Sequence, residues 1–146
     1  MMHQIPPRRT PDSDNEYLEE MTRAVFQSGF SWQVIRDKWE GFRTAFAGFD
    51  IPTVARYGPP DVERLLGNPG IVRNFRKISS TVENARAMVA LIGQHGSFHA
   101  YLRSLDHLTY SERVKVLTKQ FRHVGRTGAF VFLHSVNEER PDWEER

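Results

Sequence analysis

Between Leu65 and Lys77 the chain reads Leu65, Leu66, Gly67, Asn68, Pro69, Gly70, Ile71, Val72, Arg73, Asn74, Phe75, Arg76, Lys77. A short helix, a four-residue turn with two glycines and a second helix opening on apolar residues make a helix-hairpin-helix. Gly70, lacking a side chain, lets another backbone come close. The amides of Gly70, Ile71 and Val72 are expected unpaired at the start of the second helix, where they would seat a phosphate. Arg73, Arg76 and Lys77 follow within a turn or two and add positive charge to the same contact. An ordinary helical corner closed by a glycine is the plain alternative. A phosphate backbone held in this way is gripped without regard to base sequence.

The charge distribution is compatible with an anionic partner. Formal net charge is +2, which by itself decides nothing. From Arg113 to Arg126, however, there are five Lys/Arg residues and no acids, while Glu138 to Arg146 carries five acids against two arginines. A solvated helix face explains the basic stretch equally well. The sequence contains no cysteine, which excludes a disulfide framework, a thiolate zinc site and a cysteine nucleophile. No run of eighteen apolar residues occurs and Met1 to Pro11 does not read as a signal peptide. A soluble, cytoplasmic monomer with no membrane association, no metal and no cofactor is expected.

The elements that must position the hairpin are all helical. Residues 1–13 read as a flexible arm, with Pro6, Pro7 and Pro11 opposing helix. Asp14 or Asn15 caps a first helix whose buried stripe is Leu18, Met21 and Val25 and which ends at Gly29. Ser31 caps a second helix, with Trp32, Ile35, Trp39, Phe42 and Phe46 at helical spacing up to Gly48. Asp50 and Pro52 open a short helix to about Arg56, and a further turn or two runs from Asp61 to Leu66. The long central helix is predicted over 71–92, its apolar stripe being Ile71, Phe75, Ile78, Val82, Ala85, Val89 and Ile92. Helices over 98–105, 111–123 and 127–137 complete an all-α domain over 14–138, followed by an acidic C-terminal tail, 139–146.

Several stretches together resemble one family. They are Gln27 to Trp32, Phe42 to Phe46 with Phe49 and Asp50, Asp61 to Leu65, Gly70 to Arg73, Lys77 with Ile78, Glu83 to Arg86, and Phe121 to Gly125. In order and spacing the chain from about Tyr17 to Asn137 resembles 3-methyladenine DNA glycosylase I, the Tag-type branch of the helix-hairpin-helix glycosylases. The resemblance implies base-excision repair on double-stranded DNA, by cleavage of the bond between deoxyribose and an alkylated, cationic purine. The flipped base would be read inside a pocket. Trp32 matches the family's pocket tryptophan, Gln27 a glutamine on the same segment, and Phe30 the residue that wedges into the gap left by the flipped nucleotide. Gly70, Ile71, Val72 and Arg73 match the hairpin, with Arg76 and Lys77 beside it. Trp32 also lies on the apolar stripe of its helix, where core packing accounts for it equally well.

This chain departs from the family pattern in three places. Eight residues before the pocket tryptophan the family carries a glutamate that contacts the base; here the position is Ala24. Glu20, one turn earlier, is the available carboxylate, although its place near a helix start also suits a plain surface acid. The family's N-terminal segment supplies a cysteine, a histidine and pocket aromatics, whereas Met1 to Ser13 contains no Phe, Tyr or Trp. The family's zinc site uses two cysteines that are missing here, and His95 and His99, four apart, have no third ligand beside them. A DNA-binding or lesion-sensing module without excision is therefore the alternative. A protein-interaction domain retaining only the fold is the third possibility.

Overall fold

The computed structural model describes residues 7–146, and every regular element among them is helical. The helices are α1 (Asp14–Gln27), α2 (Trp32–Asp37), α3 (Trp39–Ala45), α4 (Ile51–Ala55), α5 (Pro59–Leu66), α6 (Phe75–His95), α7 (Phe98–Arg103), α8 (Tyr110–Gln120) and α9 (Arg126–Ser135). Single 3-10 turns cover Ala47–Phe49 and Trp143–Glu145. Local chemistry accounts for several of the boundaries. Ser31 accepts from the Gln33 amide, Asp50 from Thr53, and Thr109 forms a capping box with Glu112. Gly96, at φ +91°, closes α6.

The central helix is α6, packed on α1, α4, α5 and α7, while α1 also meets α9. Two aromatic clusters flank it. In one, Trp39 stacks on Phe42 and Phe49 while Phe26 meets Phe42 edge-on at 4.6 Å. In the other, Phe98 touches Tyr17, Tyr101, Phe121 and Phe132. Seven phenylalanines, in both clusters and on α9, are essentially inaccessible to solvent, an apolar interior that supplies the main folding drive.

Buried polar side chains join segments far apart in sequence. The Asn84 amide donates to the Arg122 carbonyl (3.1 Å) and accepts the Arg122 amide (2.7 Å), fastening the turn after α8 to α6. Arg86 donates to the carbonyls of Ala55 and Tyr57. The stretches Glu83 to Arg86 and Phe121 to Gly125, matched separately in the sequence, are thus two halves of one clamp.

Three expectations are corrected. The second helix breaks at Lys38 into α2 and α3, although its aromatic stripe keeps phase across the break. The long helix begins at Phe75, not Ile71, because the Asn74 side chain caps it by accepting from the Lys77 amide at 3.0 Å. Ile78, Val82 and Ala85 of the expected stripe are buried, but the buried face of α6 extends to Thr81, Asn84, Met88 and Leu91, while Phe75 and Val89 are 59% and 46% exposed. Thr81 bonds back to the Lys77 carbonyl and Asn84 reaches across to Arg122, so both polar side chains are satisfied in the core and an apolar count alone misplaces the face.

Of the predicted arm, residues 1–6 lie outside the described residues. Beyond them, Arg8 bonds to Asn137 and to the Glu138 carbonyl, and the Arg9 amide donates to Ser135. Residues 139–146 lie back on the helical body through Arg113–Glu139 and Trp143–Phe130 contacts.

Candidate DNA interface and base cavity

The turn between α5 and α6 is held from within. Asn68 Oδ1 accepts the Gly70 amide at 2.8 Å, and the Asn68 carbonyl accepts from Ile71. Residues 71–74 precede the helix, so Gly70, Ile71 and Val72 do not present helix-terminal amides as expected, and the Gly70 N–H is already engaged. Close backbone approach does occur here, with Gly41 of α3 as the other partner: a Cβ on Gly41 would fall on the Gly70 carbonyl. Lys38 donates to the Pro69 carbonyl across the same contact.

Arg73 and Arg76 are exposed beside this turn. Lys77 is not: it is 4% exposed, its Nζ donating to the carbonyls of Phe26 (3.1 Å) and Ser28 at the end of α1. Burial lowers its pKa. The expectation that Lys77 faces an external phosphate is corrected, because its ammonium satisfies the C-terminal carbonyls of α1. Its Nζ also sits 4.8 Å from the ring centroid of Phe30. Gly29, at φ +79°, turns the chain so that Phe30 projects, 43% exposed, with its amide on the Gln27 carbonyl. His123, at φ +60°, is held below its ordinary pKa by burial and then by the charges of Lys77 and Arg76.

A cavity of about 220 Å³ opens next to this turn. From α1 and the following turn it is walled by Ala24, Gln27, Ser28 and Gly29, from α9 by Thr127, Gly128 and Val131, and from the C-terminal segment by Trp143. None of these is acidic. The volume lies below the roughly 300–1,000 Å³ of sites for drug-sized ligands and suits one flat heterocycle. A larger cleft, about 500 Å³, lies between α5 and α6 against Val62, Leu66, Phe75 and Arg86. That cleft shares no residue with the walls around Gln27, and unlike them it includes two acids, Glu63 and Glu83.

Of the residues singled out in the sequence, Gln27 lines the cavity and Phe30 stands next to its wall residue Gly29. Trp32 is not among the wall residues; the Arg23 guanidinium lies 5.8 Å from its ring and 4.2 Å from that of Trp39. Glu20 also lies outside the wall and pairs with Arg23 at 3.2 Å. The neighbouring Glu19 accepts from Trp39 Nε1 (2.9 Å) and from Arg43. The sequence reading passed over Trp143, Thr127, Gly128 and Val131. The only signal for Trp143 was an aromatic residue within an otherwise charged tail.

Burial raises the Glu20 pKa above its ordinary value, and Arg23 offsets this only in part. With the folded pKa raised, Glu20 favours folding below its unfolded pKa and loses that contribution as pH rises through the folded value. Glu20→Gln is therefore expected to be at least as stable as the parent at neutral pH. The difference should shrink to nothing below about pH 4. Paired thermal melts from pH 4 to 8 measure it, and a variant markedly less stable at pH 7 would refute the account.

The chain belongs to the methyladenine glycosylase family, whose sequence model matches residues 9–128. It is 27% identical over 146 aligned positions to the DNA-3-methyladenine glycosylase of Haemophilus influenzae, covering 86% of this chain and 79% of that protein. It is 38% identical over 82 positions to DNA-3-methyladenine glycosylase 1 of Escherichia coli, covering 56% and 44%. Its fold superimposes on a crystal structure of 3-methyladenine DNA glycosylase I with a TM-score of 0.78 at 29% identity, over 88% of this chain and 81% of the other. A second superposition, on the Staphylococcus aureus enzyme, gives 0.80 at 21% identity over 90% and 80%, and bears on the fold alone.

Proposed function

We propose that this protein removes alkylated, cationic purines of the 3-methyladenine kind from double-stranded DNA, acting as a cytoplasmic monomer and without sequence preference. The observation that carries the reading is the base-sized cavity beside the exposed Phe30. Arg73 and Arg76 hold the DNA backbone next to the Gly70 turn, and their charge reads no base. Phe30 fills the space left in the stack when the damaged nucleotide rotates out. The base enters between α1 and α9, where Gln27, Ser28 and Thr127 offer neutral polar groups to its edge.

Water adds to the sugar C1′ as the glycosidic bond breaks. The bonding pair leaves with the base, cancelling its positive charge, and the attacking water loses one proton to solvent, leaving a hydroxyl on C1′. Because that base is already a good leaving group, the cavity needs mainly to orient it and exclude bulk water. No carboxylate is required in the wall, which is consistent with alanine at position 24.

The test uses methylated duplex DNA and the full chain. Expected products are free 3-methyladenine and alkali-labile abasic sites. Arg73→Ala and Arg76→Ala should each weaken duplex binding and reduce the salt slope by about one. Glu20→Gln should excise at the parental rate, since Glu20 lies outside the cavity. Binding without release, even at stoichiometric protein, would establish the second reading, a lesion-binding module, which the absence of an acid from the wall favours.

A further inference from the structure

The cavity has an aromatic wall that comes from the far end of the chain. Beyond α9 the backbone turns back, and the 3-10 turn Trp143–Glu145 brings Trp143 beside Ala24 and Gln27 of α1 and Val131 of α9. The indole is fixed in place. It meets Phe130 edge-on, centroids 5.4 Å apart at 84°, and the Arg146 guanidinium lies 4.0 Å from its centre. Arg146 in turn donates to the Trp143 carbonyl (2.8 Å) and to Thr127 Oγ1 (3.1 Å), tying the segment to α9.

The cavity wall contains no carboxylate, so a positive charge on a bound heterocycle meets no countercharge there. An indole supplies the missing term, because a π-face attracts a cation while gaining little electrostatically from a neutral ring; Arg146 already holds one face of Trp143, so the base has to meet the other. We propose that Trp143 is the residue that selects cationic over neutral purines, by contact between its ring and the flipped base. This rests on the cavity being the base site. The segment 139–146 is then a working wall of the pocket, and the sequence label of acidic tail describes only its outward side chains.

Two small probes isolate the effect: 3,9-dimethyladeninium, a fixed cation with methyl in place of the sugar, and neutral 9-methyladenine. Each is titrated into the full chain while the tryptophan indole N–H resonances are followed, with Trp143 assigned by its loss in Trp143→Phe. The cation should move the Trp143 resonance. Trp143→Leu should bind the cation about tenfold more weakly and the neutral base nearly as before, whereas Trp143→Phe should stay within about threefold of the parent. Thermal melts of both variants check that the fold is intact, and a merely structural role would weaken both probes alike. No binding of the cation by the parent, binding with the Trp143 resonance unmoved, or an unchanged cation preference in Trp143→Leu each overturns the proposal. Base release from methylated DNA is measured in parallel. Its absence from the parent protein overturns the excision reading, while the titration still decides the role of Trp143.

Discussion

Lys77→Ala is expected to lower the stability of the protein by about 3 kcal/mol, a fall in melting temperature of about 10 °C for a chain of this size. Lys77 is nearly inaccessible, and its ammonium is shared between the carbonyls of Phe26 and Ser28. Those are terminal acceptors of α1, which ends at Gln27 with Ser28 as its C-cap and Gly29 turning the chain beyond it. Truncation leaves them without this donor inside the protein and opens space where the four-carbon stem was. Lys77→Met separates the two effects, because it refills most of the volume and restores no donor. It should recover part of the loss but not all.

The same substitution should reach the chemistry. With the Nζ 4.8 Å from the Phe30 ring, Lys77 holds in place the aromatic proposed to enter the DNA stack. At temperatures where both forms are fully folded, base release by Lys77→Met should fall more than duplex binding does, since Arg73 and Arg76 are untouched. A melting temperature within two or three degrees of the parent for Lys77→Ala would show that water replaces the ammonium without cost. The structural role would then be lost.

Lys77 also shows where the sequence stopped being informative. As one of three cations after a glycine turn it was indistinguishable from Arg73 and Arg76, because what separates them lies 49 and 51 residues away on α1. Features set by neighbours in sequence were legible: the Ser31 and Asp50 caps and the stripe through Trp39 and Phe42. The start of α6 was misread since an apolar pair, Ile71 and Val72, can equally fill the core from an extended turn, and only the Asn68 and Asn74 side chains decide between these. The buried face of α6 was placed only in part for a related reason: Ile78, Val82 and Ala85 are buried as expected, Phe75 and Val89 are not. Asn84 is buried because its two bonds run to Arg122, a partner that no periodicity reveals. At the cavity, Gln27 and the neighbouring Phe30 were singled out through resemblance, whereas Trp143 reaches it through tertiary folding of a segment that composition marks as polar.

Gly41→Ala should be destabilising by about 2 kcal/mol, against the general preference of helices for alanine, and it should weaken duplex binding as well. In α3 a methyl at this position would fall on the carbonyl oxygen of Gly70, 2.9 Å from the carbonyl carbon and 3.3 Å from Cα. All three atoms are backbone, so no side chain can turn aside. Either α3 or the hairpin has to move, and the hairpin is the lighter element. Its displacement would stretch the Lys38 to Pro69 bond and carry Arg73 out of position relative to Phe30. Gly93→Ala supplies the control. Gly93 lies within α6, exposed, with nothing inside 4 Å of an added Cβ, so the same change there should stabilise by up to about 1 kcal/mol. Opposite signs for one chemical substitution, read from two denaturation curves, isolate the contact between Gly41 and Gly70 from helix propensity. Equal signs would mean that the hairpin yields freely at this point, and that its position is set by the Asn68 turn and the Asn74 cap without help from α3.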